Sequence, residues 1–231
     1  MHYSLFELNS CMIKLLLLLV TIPFTLATLA QRIPLKPERL QANQVSMSFE
    51  KIGGKQALRV AKDTTLKKVD EPSFVKIKGL TIKDGVIEVK VLSRLLPTAS
   101  ENDRGFIGLA FRINEDNSKY ECIYIRPTNG RANDQVRRNH SIQYYSYPDY
   151  KFDRLRKEAP ERYESYADMQ LNQWITMRIE FKGSQAKLFL DNQNQPVLIV
   201  NDLKHGPGLS GSIGLWVDVG TEGFFKDLKV K

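Results

Sequence analysis

An all-β fold, a two-sheet antiparallel β-sandwich, is what this sequence predicts. Apolar residues alternate with polar ones in run after run, turn-forming residues punctuate the runs, and no core segment carries a helical stripe. Many short strands at such spacing fill a sandwich or a barrel.

The chain opens on a different kind of segment. Met12-Ile-Lys14 precedes the apolar run Leu15 to Val20, and small residues follow at Thr28 and Ala30. This is the pattern of a secretory signal over residues 1–30, cleaved between Ala27 and Gln31, with Met12 rather than Met1 as the start. A retained anchor is the competing reading, but the run falls short of the roughly 20 apolar residues that span a bilayer. The expectation is a secreted or periplasmic protein with no stable membrane span after cleavage. Residues 31–44, with Pro34 and Pro37, read as an extended lead-in to one domain over 45–231.

Within that domain the alternation is explicit. Val75 and Ile77 alternate with Lys76 and Lys78, and Ile87, Val89 and Val91 with Glu88 and Lys90. Ile107, Leu109, Phe111 and Ile113 alternate with Phe106, Gly108, Ala110 and Arg112, and Ile175, Met177, Ile179 and Phe181 with Thr176, Arg178 and Glu180. Each run predicts a strand with one face on a core and one facing out. Turns are marked by Lys83-Asp84-Gly85, Asn114 to Asn117, Lys182-Gly183-Ser184 and Asp191 to Asn194. Arg154 to Asp168 has room for a short helix limited by Pro160.

Composition narrows the function classes. Cys11 falls in or before the signal, so Cys122 stands alone and no disulfide forms within the mature chain. The net charge of +8 survives removal of residues 1–30, which hold one Glu and one Lys. Without a basic helix or a nucleic-acid motif, solubility is the favoured explanation of that charge, and no nucleic-acid partner is expected.

The C-terminal third runs Trp174 to Gly183, Ala186 to Asp191, Gly211-Ser-Ile-Gly-Leu-Trp216 and Phe224 to Val230. This arrangement resembles the end of laminin-G-like and related concanavalin A-like lectin/glucanase domains, and also the bacterial 3-keto-disaccharide hydrolase-type domain. The resemblance covers most of residues 45–231 and implies a jelly-roll sandwich. It implies a carbohydrate ligand, bound or hydrolysed. The acidic Glu-x-Asp-x(-x)-Glu strand of family 16 glucanases is absent, so that route to catalysis fails.

Residues 126–168 break the rhythm of short loops. They hold seven of the fourteen arginines and six of the nine tyrosines, and long irregular segments in compact domains are functional or disordered. The aromatic density argues against disorder. Flat rings stack on the apolar face of a pyranose while planar polar groups bond its hydroxyls, and paired arginines fork onto a carboxylate or sulfate. The candidate ligand-binding set is therefore Arg126, Asn129, Arg138, His140, Tyr144 and Glu158, expected around one polar concavity. The competing reading is a wrapping loop pinned by Arg–carboxylate pairs. If the protein is a glycan-active hydrolase, His140, Asp149 and Glu158 are the acid/base candidates. A structural or interaction module is the third reading. Tyr120, Cys122, Tyr124 and Arg126 share one strand face, which either floors a groove or packs as ordinary core. No cofactor is expected. Calcium is the metal such a fold would take, with Glu50 and Asp227 as the candidate ligands where the terminal strands meet.

Overall fold

The computed structural model describes residues 30–231; the signal and start-site expectations lie outside the described residues. Fifteen strands follow in chain order: β1 (Gln31–Arg32), β2 (Leu40–Asn43), β3 (Val45–Ile52), β4 (Lys55–Lys62), β5 (Phe74–Ile77), β6 (Gly85–Leu95), β7 (Ile107–Ile113) and β8 (Tyr120–Ile125), then β9 (Ile142–Tyr147), β10 (Glu164–Ser165), β11 (Ile175–Lys182), β12 (Gln185–Leu190), β13 (Leu198–Val200), β14 (Ser212–Val217) and β15 (Thr221–Val230). Three short helices, α1 (Pro127–Gly130), α2 (Gln135–Asn139) and α3 (Phe152–Glu158), sit in the irregular segment around β9. Among the described residues no helix is long and apolar enough to cross a membrane.

The strands form two antiparallel sheets. One has the order β13-β12-β11-β6-β15-β4-β3, with β1 also on β15; the other runs β10-β9-β8-β7-β14-β5-β2. The lead-in is stitched into both sheets: Gln31 pairs with Val230, and Leu40 to Asn43 pair with Phe74 to Ile77. Its extended, Pro-interrupted backbone suits an edge strand.

The alternation does its expected work in the first sheet. Ile175, Met177, Ile179 and Phe181 are buried while the residues between them stay half exposed. Turn chemistry holds too, since Asn117, Gly183 and Asp191 take left-handed backbone, as tight turns between strands require. The inner faces meet where Phe111 lies 4.8 Å from Phe181, ring to ring.

The second sheet departs from expectation. Every residue of β7, β8 and β14 is buried, so neither face of these strands looks out. Two loops roof the outer face. In residues 63–73, the Trp216 indole N–H donates to the Glu71 carbonyl at 3.0 Å and the Ser73 hydroxyl to the Val217 carbonyl at 2.6 Å. The segment after β9 locks onto that loop, with the Phe152 amide donating to Asp70 at 2.8 Å and Lys151 to Glu71 at 2.5 Å. Alternation reports one buried face well, but small residues such as Gly108 and Ala110 hide a second.

Arg112 shows the same limit. A bulge gives it a φ of 54°, and its fully buried guanidinium donates to the carbonyls of Lys83, Gly183 and Gly206 at 2.7 to 3.1 Å and to Asp84. Read as an outward residue of a strand, it closes the end of the sandwich instead.

Candidate functional site

Under the roof, the outer face of the second sheet is an aromatic floor. Tyr124 lies 4.7 Å from Trp216, and Gly108 sits between them in the strand register. A Cβ at Gly108 would collide with the Ile123 carbonyl and the Tyr124 backbone, so glycine is what lets these rings lie against the sheet. Tyr120 and Tyr145 continue the floor, their hydroxyls 2.9 Å apart, and Tyr147 stacks on Tyr120 at 5.1 Å. Tyr120 is thus a packing aromatic, whereas Tyr124 forms the wall of a cavity.

That cavity, about 410 Å³, opens where the roof stops. Phe106, Tyr124 and Phe152 give it apolar surface; Arg104, Arg126, Arg137 and Arg156 give it cations; Asp70, Asp103 and Asp218 give it acids, with Asn129 and His140 beside them. Guanidinium groups brace the aromatic ones. Arg126 stands over the Tyr124 ring at 5.1 Å and the Phe152 ring at 5.8 Å, and Arg156 over Phe152 at 5.2 Å.

Arg126 is the hub. It donates to the His140 carbonyl at 3.0 Å, Glu164 at 3.2 Å, the Tyr124 hydroxyl at 2.8 Å and Gln143 at 3.2 Å, and is only 5% exposed. Its terminal N–H groups therefore hold protein atoms, and its part in the cavity is to fix Tyr124, Glu164 and the chain before β9. Glu164 also takes Arg156, and His140 lies 3.5 Å from it. Burial alone would raise the Glu164 carboxyl, but the Arg156 hydrogen bond and the charges of Arg126, Arg156 and His140 outweigh it and hold it low. Burial pushes the His140 imidazole below its ordinary value, and Arg156 and Arg126 add to this against the pull of Glu164.

The acids in the lining are unusual. Asp218 is 2% exposed and accepts from Lys62 at 2.6 Å and from the amide of Asp70 at 2.9 Å. Asp70 is 1% exposed. Burial first, and then the Asp218 charge, push its carboxyl up to about 7, against the pull of the Phe152 amide, Arg126 and Lys151. Burial beside a second acid thus moves this carboxyl out of the usual carboxylate range to near neutrality.

Three of the six residues expected at a concavity come together there: Arg126, Asn129 and His140. The other three do not. Arg138 stacks on Tyr166 at 5.0 Å and bonds its hydroxyl at 2.6 Å, outside the cavity wall. Tyr144 points to the inner face, where its hydroxyl donates to Glu121 at 2.7 Å and accepts from the Lys204 amide at 2.9 Å. Glu158 is exposed and pairs with Arg154 one helical turn away at 2.7 Å. Asp149 is exposed in the turn before α3, so His140, Asp149 and Glu158 share no cavity wall. Glu50 lies 3.4 Å from Arg59 and Asp227 2.7 Å from Arg32, so those carboxylates serve separate ion pairs. Among the described residues no group of three or more His, Cys, Asp or Glu forms a metal-ligand cluster.

Sequence reasoning missed Asp70, Phe106, Phe152 and Asp218. Asp218, directly after the apolar run Ile213 to Val217, was the one legible signal, since an acid abutting a buried strand needs a partner.

Comparison with known structures places this architecture. A carbohydrate-binding module, CBM66, from Bacillus subtilis superposes with a TM-score of 0.52 at 14% identity, covering 82% of this chain and 97% of the module. A second Bacillus subtilis protein, with a galectin-like fold, gives a TM-score of 0.51 at 10% identity over 84% of this chain and 89% of its own. The fold is shared with these β-sandwiches. No protein-family model and no curated protein matches the sequence.

Proposed function

We propose that this is an exported glycan-binding protein that takes a sugar in the cavity between Phe152, Tyr124 and the Arg104–Arg137 wall. The observation that carries the reading is the cavity itself. It is preformed, it falls within the roughly 300–1,000 Å³ of small-molecule sites, and it sets aromatic surface beside convergent polar groups on a rigid sheet. A pyranose has that dual character, apolar on its C–H face and dense in hydroxyls at its edge, and the aromatic walls match the first. Half-exposed His140, Asp103, Arg104 and Arg137 match the second, since between them they offer donors and acceptors. The Arg126 hub holds this constellation before any ligand arrives, which lowers the ordering cost of binding. A carbohydrate-binding module of the same fold agrees with the reading. So does the signal-like segment at residues 12–30, which supports export.

The test is a glycan array probed with the purified protein and with Phe152→Ala. Phe152 is half buried and bonds Asp70 through its backbone, which alanine keeps. Binding that weakens about tenfold or more, a loss of roughly 1.4 kcal/mol, supports the cavity as the site. Binding indifferent to the substitution places the glycan elsewhere and overturns the reading.

A further inference from the structure

The charges around this cavity do not cancel. Of the acids on its wall, only Asp103 keeps a full charge outside any ion pair, and the cations still outnumber them. Asp218 is paired with Lys62. Asp70 holds its proton up to about 7. Asp103 turns its carboxylate toward the Ser100 amide, which donates to it at 2.7 Å, and toward Gly220, where a Cβ would collide with it. Glu164, behind the wall, is shared by Arg126 and Arg156.

Two arginines on the wall stand outside any ion pair among the described residues. Arg104 donates to the carbonyls of Glu101 and Asp103, and Arg137 reaches the Asn129 side-chain oxygen at 3.3 Å. Among the described residues neither has a carboxylate within ion-pair distance. Both are half exposed and line the cavity. Burial, and next the like charges of Arg137 and Arg126, outweigh the opposite pull of Asp103 and Glu101 and make the Arg104 guanidinium easier to deprotonate than usual. Like charges gathered at a partly desolvated wall repel, and an anion placed among them removes the penalty. Guanidinium groups suit that task because their planar fork matches a carboxylate or sulfate in two hydrogen bonds.

We propose that the glycan bound here is anionic, with a carboxylate or sulfate held by Arg104 and Arg137 while the sugar ring packs on Phe152 and Phe106, the half-exposed aromatics of the lining. This rests on the cavity being the glycan site, and the experiment separates the two claims. Uronate-rich, sulfated and neutral polysaccharides are titrated against the purified protein, the double variant R104Q/R137Q and F152A, at 50 mM and 500 mM sodium chloride, with thermal melts to confirm folding. The expected result is binding of an acidic glycan that falls at least tenfold in the double variant, in F152A and at high salt. Which acidic class binds then tells carboxylate from sulfate. Neutral glycans that bind equally well to the double variant and lose affinity in F152A overturn the anionic inference and leave the cavity reading standing. Binding that F152A does not alter overturns both, and so does a folded protein that takes none of the three classes.

Discussion

The backbone amide of Asp70 donates to the Asp218 carboxylate at 2.9 Å, so one buried acid tethers the loop that carries another. The same Asp218 takes the Lys62 ammonium at 2.6 Å, which leaves Asp70 without a cation in ion-pair contact among the described residues. Asp70 answers by keeping its proton, and the roof over the second sheet hangs partly on that choice.

Stability should therefore fall as Asp70 ionises. Its folded value of about 7 lies above the ordinary 3.8, so the folded state binds the proton more tightly than the unfolded chain does. The contribution is complete below about pH 3.8 and is lost as pH rises through about 7, a swing on the order of 4 kcal/mol. Glu164 runs the other way: its lowered folded value stabilises above the unfolded 4.5 and is lost as pH falls below it. Asp70→Asn keeps an acceptor for the Phe152 amide and cannot titrate. Unfolding free energies from pH 4 to 8 should show the wild type losing ground to this variant as pH rises, and parallel profiles would refute the assignment.

Arg126→Ala should cost stability, since it strips the Tyr124 hydroxyl, Gln143 and one side of Glu164 of their donor. Breaking a buried pair costs about 3–5 kcal/mol in general, and here the lower end is expected because Arg156 still holds Glu164. Urea unfolding measures it. Adding Glu164→Gln to Arg126→Ala should recover part of the loss, and a strictly additive double variant would count against coupling.

Gly108→Ala should destabilise by about 1–3 kcal/mol or more, the usual cost of overpacking a filled core. The added methyl meets the Ile123 carbonyl and the Tyr124 backbone, which cannot swing aside as a side-chain tip would. Near-ultraviolet circular dichroism should change with it, because Tyr124 and Trp216 pack across this position. An unchanged spectrum and midpoint would show that the strand yields easily.

Cys122 should be inert in the folded protein. It is fully buried, and burial first, then the charge of Asp70, raises its thiol well above the ordinary range. Ellman's reagent should label it only at the rate of unfolding. Rapid labelling without denaturant would mean that the roof opens on its own.

The sandwich was legible in the sequence because a half-buried strand writes its geometry into every second residue. Ile87, Val89 and Val91, or Ile175 to Phe181, admit one face to the core and no other pattern does so. Asn117, Gly183 and Asp191 mark turns for a reason equally local, the backbone angles they tolerate. The cavity was legible only in part. Arg126, Asn129 and His140 sit within fifteen residues of chain, and their density drew attention to them. Asp70, Arg104, Phe152 and Asp218 reach the same wall from separate loops and strand ends, and no local pattern in the chain encodes that meeting. Nor does local pattern say whether a charged residue is exposed or paired, so the sequence alone groups Arg138 and Glu158 with Arg126. Periodicity is a property of neighbours along the chain, whereas a site is a property of neighbours in space, set here by which loops fold over the second sheet and which arginines they leave without an acid.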